Sequence, residues 1–302
     1  MSKYLTLFAV VLTLTLSLQA QSLQSHLPRA SQVPTASASP TGAAQSSSKG
    51  AVKTAADTCA YTFVQAGANN SYMEVCVSVN GNLISFQSPS GIEYLNLGTL
   101  SEGYGLYDFT SGISYYDYSD YGASGFGSPM VLSATAALVK IQRTTTDGIW
   151  TLTQTIAKSG ATTPFAKITM ALKNNTAVNR EVYLLRWADV DPFNANSTAN
   201  FQESFDSTIY SAWGYTPLNY YTFNSSGNYS GYGLLIENIG KPNVAYGLEG
   251  LALNTNFPPS PSSPAANYFG YQQNVDGSIE MLYVLIVPKG KTGTVNLRYH
   301  AL

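Results

Sequence analysis

Charge is scarce in this chain. Lys and Arg total 15 and Asp and Glu 17 in 302 residues, for a formal net charge of −2. No basic stripe is available to displace counter-ions from a phosphate backbone, which argues against a nucleic-acid partner. Histidine is scarcer still, with only His26 and His300. A zinc site built on several histidines is thereby excluded. A Ser-His-Asp or Cys-His arrangement would have to use His300, two residues from the end of the sequence. Only two cysteines occur, Cys59 and Cys76. Beyond the N-terminal segment no apolar run reaches bilayer-spanning length, so no membrane span is expected there.

The first twenty residues read as an export signal. Lys3 is followed by an apolar run over 5–18 and then by Gln19-Ala20, the charged, apolar, small-residue order of a secretory leader. The run is short for a bilayer span, so cleavage after Ala20 is expected, with an uncleaved anchor as the alternative. No cysteine lies nearby to carry a lipid. Residues 21–56 are rich in Ser, Ala, Pro, Thr and Gln. Such a segment buries too little apolar surface to offset its ordering entropy, so a disordered linker is expected. Residues 57–302 remain for a single folded domain outside the cytoplasm, either secreted or at the cell surface or in the periplasm.

An even cysteine count in an exported chain predicts one disulfide, Cys59–Cys76. The intervening sequence fits two strands around Gly67-Ala-Asn-Asn-Ser, which would bring the two residues within bridging distance.

Strand signals are dense. Met73, Val75, Val77 and Val79 alternate with Glu74, Cys76 and Ser78, a period of two. Asn80-Gly81 and Asp147-Gly148 are two-residue hairpin signals. Further strands are expected over 131–143, 150–156, 166–172, 181–190, 233–239, 279–287 and 294–299, all rich in Val, Ile, Thr and Tyr. The one helical competitor is the Ala-rich stretch 133–139. Many strands with Gly, Asn and Pro punctuation predict an all-β fold, a large antiparallel two-sheet β-sandwich.

Two stretches carry a resemblance. Lys167-Ile-Thr-Met-Ala-Leu-Lys-Asn-Asn-Thr followed by Arg180-Glu-Val-Tyr-Leu-Leu-Arg resembles a strand–turn–strand of extracellular bacterial sandwiches. Leu285-Ile-Val-Pro-Lys-Gly-Lys-Thr-Gly-Thr-Val-Asn-Leu-Arg-Tyr resembles the closing hairpin of such domains. The size is similar to the supersandwich of galactose-mutarotase-like and polysaccharide-lyase families. The resemblance implies fold only. Aldose mutarotases rely on histidines in the domain core, and this chain has none there.

Three groups of residues are candidates for chemistry. Asp189 and Asp191 are two apart at a strand end and should share a face. The first reading is structural, with Asp189 paired to Arg186 or Arg180 and Asp191 capping a turn before Pro192. The alternatives are a calcium site, with Asn194, Asn196, Glu203 and Asp206 as further oxygen donors, or a catalytic carboxylate pair. The second group is aromatic: Tyr104, Tyr107, Tyr115, Tyr116, Tyr118 and Tyr121, joined by Trp213, Tyr215, Tyr220 and Tyr221. Flat rings edged by hydroxyls suit sugars, although tyrosine is also a good strand former and fills cores. The third group, Glu237, Glu249 and Glu280, offers the paired carboxylates a glycosidase needs.

Asn69, Asn174, Asn196, Asn224 and Asn228 stand in Asn-X-Ser/Thr context. In a eukaryote that context would direct glycosylation, while in a bacterium it is incidental.

Three functions remain open. One is a binding module for a polysaccharide or cell-surface glycan. The second is a carbohydrate-active hydrolase or lyase using carboxylate, Tyr or Arg groups. The third is a structural surface protein.

Overall fold

A computed structural model describes residues 58–68, 71–95, 102–160, 162–192, 199–203, 210–215, 222–223, 229–230 and 232–302. The expected export signal and linker lie outside the described residues, as do Tyr220 and Tyr221.

The described residues form antiparallel strands and no α-helix. Strands β1 (Tyr61–Gln65), β2 (Met73–Val77) and β3 (Leu83–Gln87) make a small three-stranded sheet. A six-stranded sheet holds β4 (Glu102–Asp108), β5 (Ile113–Asp117), β6 (Ala123–Ser124), β11 (Arg180–Asp189), β17 (Ala245–Leu253) and β19 (Ser278–Val287). Its spatial order is β17-β19-β11-β4-β5-β6. A nine-stranded sheet holds β7 (Met130–Ala134), β8 (Leu138–Thr144), β9 (Trp150–Lys158), β10 (Ala166–Asn174), β12 (Ala199–Glu203), β13 (Ser211–Tyr215), β16 (Gly233–Asn238), β18 (Tyr271–Val275) and β20 (Thr292–Ala301). Its order is β18-β12-β13-β16-β20-β10-β9-β8-β7. The short strands β14 (Thr222–Phe223) and β15 (Tyr229–Ser230) pair with each other.

Period two explains the layers. In β9, Trp150, Leu152, Gln154 and Ile156 are buried while Thr151, Thr153 and Thr155 are only partly so. In β20, Val295, Leu297, Tyr299 and Ala301 alternate in the same way. These inner rows meet Val182, Leu184 and Ala188 of β11 and Met281, Tyr283 and Leu285 of β19 in one continuous core. The fold is therefore the antiparallel β-sandwich that the alternation predicts.

The six-stranded sheet departs from the simple pattern, because β11 and β19 are buried along almost their whole length. Their outward residues Tyr183, Leu185, Trp187, Leu282 and Val284 form a second apolar cluster, with Tyr118, Leu251 and Leu253. A sheet buried on both faces needs a second cover. Here Ala265 and Tyr268, from the segment after β17, and Tyr107, Phe109, Tyr116 and Tyr121 pack onto that outer cluster.

Several expectations are corrected by the pairing. The stretch 131–143 is two strands, β7 and β8, joined by a tight turn, so residues 133–139 are not helical. Thr135 Oγ1 accepts from the Ala137 and Leu138 amides and breaks the run there. The supposed closing hairpin of β19 and β20 is an arch: β19 pairs with β11 and β17, whereas β20 pairs with β10 and β16. The turn between β10 and β11 likewise carries the chain from one sheet to the other.

The disulfide between Cys59 and Cys76 is present, with Cα atoms 5.6 Å apart. Asn174 is fully buried, and its amide donates to the carbonyls of Val178 and Val287. It has no room for a glycan. The other four Asn-X-Ser/Thr asparagines lie outside the described residues.

Candidate functional site

The outer face of the six-stranded sheet carries an aromatic groove of about 460 Å³, lined by Ser114, Tyr116, Tyr118, Tyr121, Phe257, Pro258, Pro259, Ser260 and Pro261. One wall comes from β5 and the 3-10 turn Ser119–Tyr121 that follows it. The other is a proline strap after β17. The Tyr116 and Tyr118 rings stack at 5.3 Å and 20°. Tyr121 meets Phe257 edge to face at 5.5 Å. Phe257 is 58% exposed, so a large ring faces solvent at the rim. Among the described residues, no Lys, Arg, Asp or Glu lines the groove.

Two glycines make room for its floor. Gly103 and Gly105 of β4 lie opposite Trp187 and Leu185 of β11. A Cβ on Gly105 would sit 2.6 Å from the Tyr118 hydroxyl oxygen and 2.9 Å from Pro261 Cγ. The bare backbone thus lets Tyr118 and the strap lie flat on the sheet. The Tyr118 hydroxyl donates to the Pro259 carbonyl at 3.2 Å and ties the two walls together. Beneath, Trp187 meets both Tyr118 (5.9 Å) and Tyr121 (6.2 Å) edge to face. Glu280 is the direct cross-strand partner of Trp187 and is fully buried. Burial, with no cation nearby to offset it, pushes the Glu280 carboxyl well above the usual range. The Tyr118 hydroxyl is raised too, by burial first and by Glu280 second.

An acidic set borders the groove. Carboxylate oxygens of Asp189, Asp191 and Asp276 lie within 4.8 Å of one another. Asp189 lies two residues along β11 from Trp187, on the same face. Asn256, immediately before Phe257, donates to Asp276 at 2.8 Å. Burial and then the Asp276 charge push Asp191 up to about 6. Burial raises Asp276 as well, against the bond from Asn256. A shared proton or a bound cation would each relieve this crowding. The sequence pairing of Asp189 with Arg186 or Arg180 does not form: Arg186 binds Glu102 and Arg180 binds Asp108. Glu203 is not part of the set either. It accepts from Tyr268 at 2.6 Å, and burial raises its carboxyl to about 7. Glu249 is also raised to about 7, by burial and then by Glu203. Asn194, Asn196 and Asp206 lie outside the described residues.

The remaining aromatic expectations divide by strand parity. Tyr104 and Tyr115 point into the main core, so neither can touch a ligand in the groove. Tyr104 instead donates to the Asn80 carbonyl and accepts from Arg143. Tyr107 packs against Phe109 and Tyr183. Trp213 and Tyr215 belong to β13 of the other sheet and do not line the groove. Glu237 lies on β16 of the nine-stranded sheet and pairs with Arg298, whereas Glu249 and Glu280 belong to the six-stranded sheet. His300 is half-buried beside the Ala301 carbonyl, and burial lowers its pKa. Sequence reasoning missed Phe257, the strap and Asp276. The run Phe257-Pro-Pro-Ser-Pro-Ser-Ser-Pro was the available signal, since it cannot continue a strand.

No protein-family model and no curated protein matches this chain. Among solved structures it is similar to a protein of Escherichia coli K12 assigned as an aldose 1-epimerase, with 9% identity, a TM-score of 0.39, and 80% of this chain and 98% of that one covered. It is also similar to the 4-alpha-glucanotransferase of Thermococcus litoralis, with 10% identity, a TM-score of 0.39, and 80% of this chain but 37% of that one covered.

Proposed function

We propose that the domain works outside the cytoplasm as a carbohydrate-binding module and that the aromatic–proline groove is its binding surface. The observation that carries this is the stacked Tyr116–Tyr118 pair facing the exposed Phe257 ring across an uncharged groove. Pyranose rings present apolar C–H faces edged by hydroxyls, which suit flat rings with polar rims. A volume of about 460 Å³ falls in the usual small-ligand range. The disulfide is compatible with an oxidising compartment.

Affinity electrophoresis through gels cast with neutral polysaccharides (β-glucan, xylan, galactomannan) and acidic ones (alginate, polygalacturonate) tests the reading. Retardation by at least one neutral polymer is expected. It should disappear in Tyr116→Ala and Phe257→Ala at unchanged melting temperature. Free migration through the whole panel overturns the proposal.

A second reading, cleavage of the same polymer, is favoured by Glu203 and Glu249, two neighbouring carboxyls that burial pushes up to about 7. Such values suit a general acid at neutral pH. Release of reducing ends that stops in Glu249→Gln would establish it, and binding without product would dismiss it.

A further inference from the structure

Three orphaned polar atoms lie beneath the groove. Both carboxyl oxygens of Glu280 and the indole Nε1 of Trp187 are buried without a hydrogen-bond partner. The two residues face each other directly across the β11–β19 ladder, yet they do not bond to each other. Neither side chain touches solvent. An unpaired buried carboxyl and an unpaired indole N–H both work against folding. Every other outward residue of β19 from 282 to 286 is apolar, so Glu280 is the exception on that face.

Tyr118 and Tyr121, which both line the groove and meet Trp187 edge to face, lie between the pair and the groove. Tyr118 lines the groove, packs edge to face on Trp187 and lies close enough to Glu280 to feel its charge. Its hydroxyl is held only by the Pro259 carbonyl of the strap, at 3.2 Å.

We propose that Glu280 and the Trp187 indole are the polar end of the sugar site, reached when the Tyr118–Pro259 contact opens. A ligand hydroxyl accepts from the Trp187 N–H and shares a hydrogen bond with the Glu280 carboxyl. The inference rests on the carbohydrate reading and adds a ligand class to it. A neutral carboxyl both donates and accepts, and an indole only donates. The matching group must therefore accept and donate, as a hydroxyl does. Anionic sugars are disfavoured, because the Asp189–Asp191–Asp276 set lies on the same face as Glu280. The selected class is a neutral sugar over a uronate.

The test uses the neutral polysaccharide that retards the parent protein most, with dissociation constants from affinity electrophoresis. Glu280→Met removes the buried carboxyl and keeps the volume. It is expected to raise the melting temperature and weaken binding about tenfold. Glu280→Gln restores a donor and an acceptor and is expected to bind within about threefold of the parent. Trp187→Phe keeps a ring, removes the N–H and should weaken binding about tenfold, which covers the case of a misfolded Met variant. If Phe257→Ala abolishes binding while Glu280→Met and Trp187→Phe bind like the parent, the pair is structural and this inference is overturned alone. If the parent binds no polysaccharide, the carbohydrate reading and this inference fall together.

Discussion

Arg186 grips Glu102 with two nitrogens at the centre of the sandwich, and neither side chain touches solvent. Nη2 reaches Oε2 at 2.9 Å and also donates to the Gly81 carbonyl at 3.0 Å, while Nη1 donates to Gln154 at 2.6 Å. Glu102 accepts in addition from the Leu83 amide and the Tyr299 hydroxyl. The pair thus ties β4 and β11 of one sheet to β9 and β20 of the other and to the turn before β3. A second buried pair, Arg143 with Asp117, extends the network through Tyr104 and Asn80.

Removing one partner should be costly. Arg186→Met leaves the Glu102 carboxylate buried without its counter-charge and is expected to destabilise by about 3–5 kcal/mol. The double variant Glu102→Leu/Arg186→Met should recover much of that loss, because the remaining cost is packing. Urea unfolding of the three proteins checks this. A single variant within about 1 kcal/mol of the parent would show that the network is not holding the sheets together.

The disulfide acts on the small sheet. It closes a loop with a sequence separation of 17 between Cys59 and β2. The chain-entropy relation gives about 3 kcal/mol for a loop of this size. Cys59→Ser should lower stability by about 2–4 kcal/mol, and the oxidised parent should show no reactive thiol before reduction. Thiol titration and thermal melting with and without reductant measure both.

Much of the fold is legible in the alternation and in two turns. Asn80-Gly81 and Asp147-Gly148 sit between β2 and β3 and between β8 and β9, where they were expected, and Gly81 and Gly148 have φ of 93° and 74°. The arches are not legible. Period two tells which residues share a face, but a turn of similar length serves a hairpin within a sheet or a crossing between sheets. The tyrosine run shows the same limit. Tyr115 and Tyr116 are neighbours of one residue type, yet Tyr115 fills the core and Tyr116 lines the groove. Only the register of β5 against β4 decides which is which. Glu280 was the more readable signal: a single carboxyl in the otherwise apolar run Ile279-Glu-Met-Leu-Tyr-Val-Leu-Ile-Val. Asp276 joined Asp189 and Asp191 through the pairing of Asp189 with Ser278, which no local pattern reveals.

The crowded aspartates predict a pH signature. Burial and then the Asp276 charge push Asp191 from an ordinary 3.8 up to about 6 in the folded protein. The folded state therefore holds a proton that the unfolded chain gives up, and this works against folding as pH rises. The loss begins near the ordinary value and is complete above about 6. Asp191→Asn should match the parent below pH 4 and melt higher than the parent above pH 6, measured in chelator. A constant difference across pH 4–8 would contradict this. Calcium, the alternative at Asp189 and Asp191 in the sequence, would have to displace that proton. Its signature is a rise in melting temperature at pH 7.5 that is absent at pH 5 and absent in Asp191→Asn. Identical melting in calcium and chelator removes the metal expectation.

Gly105 offers the most local test of how the groove is built. Glycine within a strand ordinarily weakens it, so Ala at such a site gains stability where space allows. Here a Cβ would meet the Tyr118 hydroxyl at 2.6 Å, Pro261 Cγ at 2.9 Å and Leu185 Cγ at 3.3 Å. Two of these three atoms belong to opposite walls of the groove, so the methyl group must lift Tyr118, the strap or both. Gly105→Ala is expected to destabilise by about 1–3 kcal/mol and to reduce retention on the neutral polysaccharide. Gly160→Ala is the contrast, since no atom lies within 4 Å of a Cβ there and its backbone is not left-handed. That variant should stay within about 0.5 kcal/mol of the parent and bind normally. Equal behaviour of the two variants would mean that the close seat of Tyr118 and Pro261 on β4 contributes neither to stability nor to binding, and the groove would lose its rigid floor as an explanation for recognition.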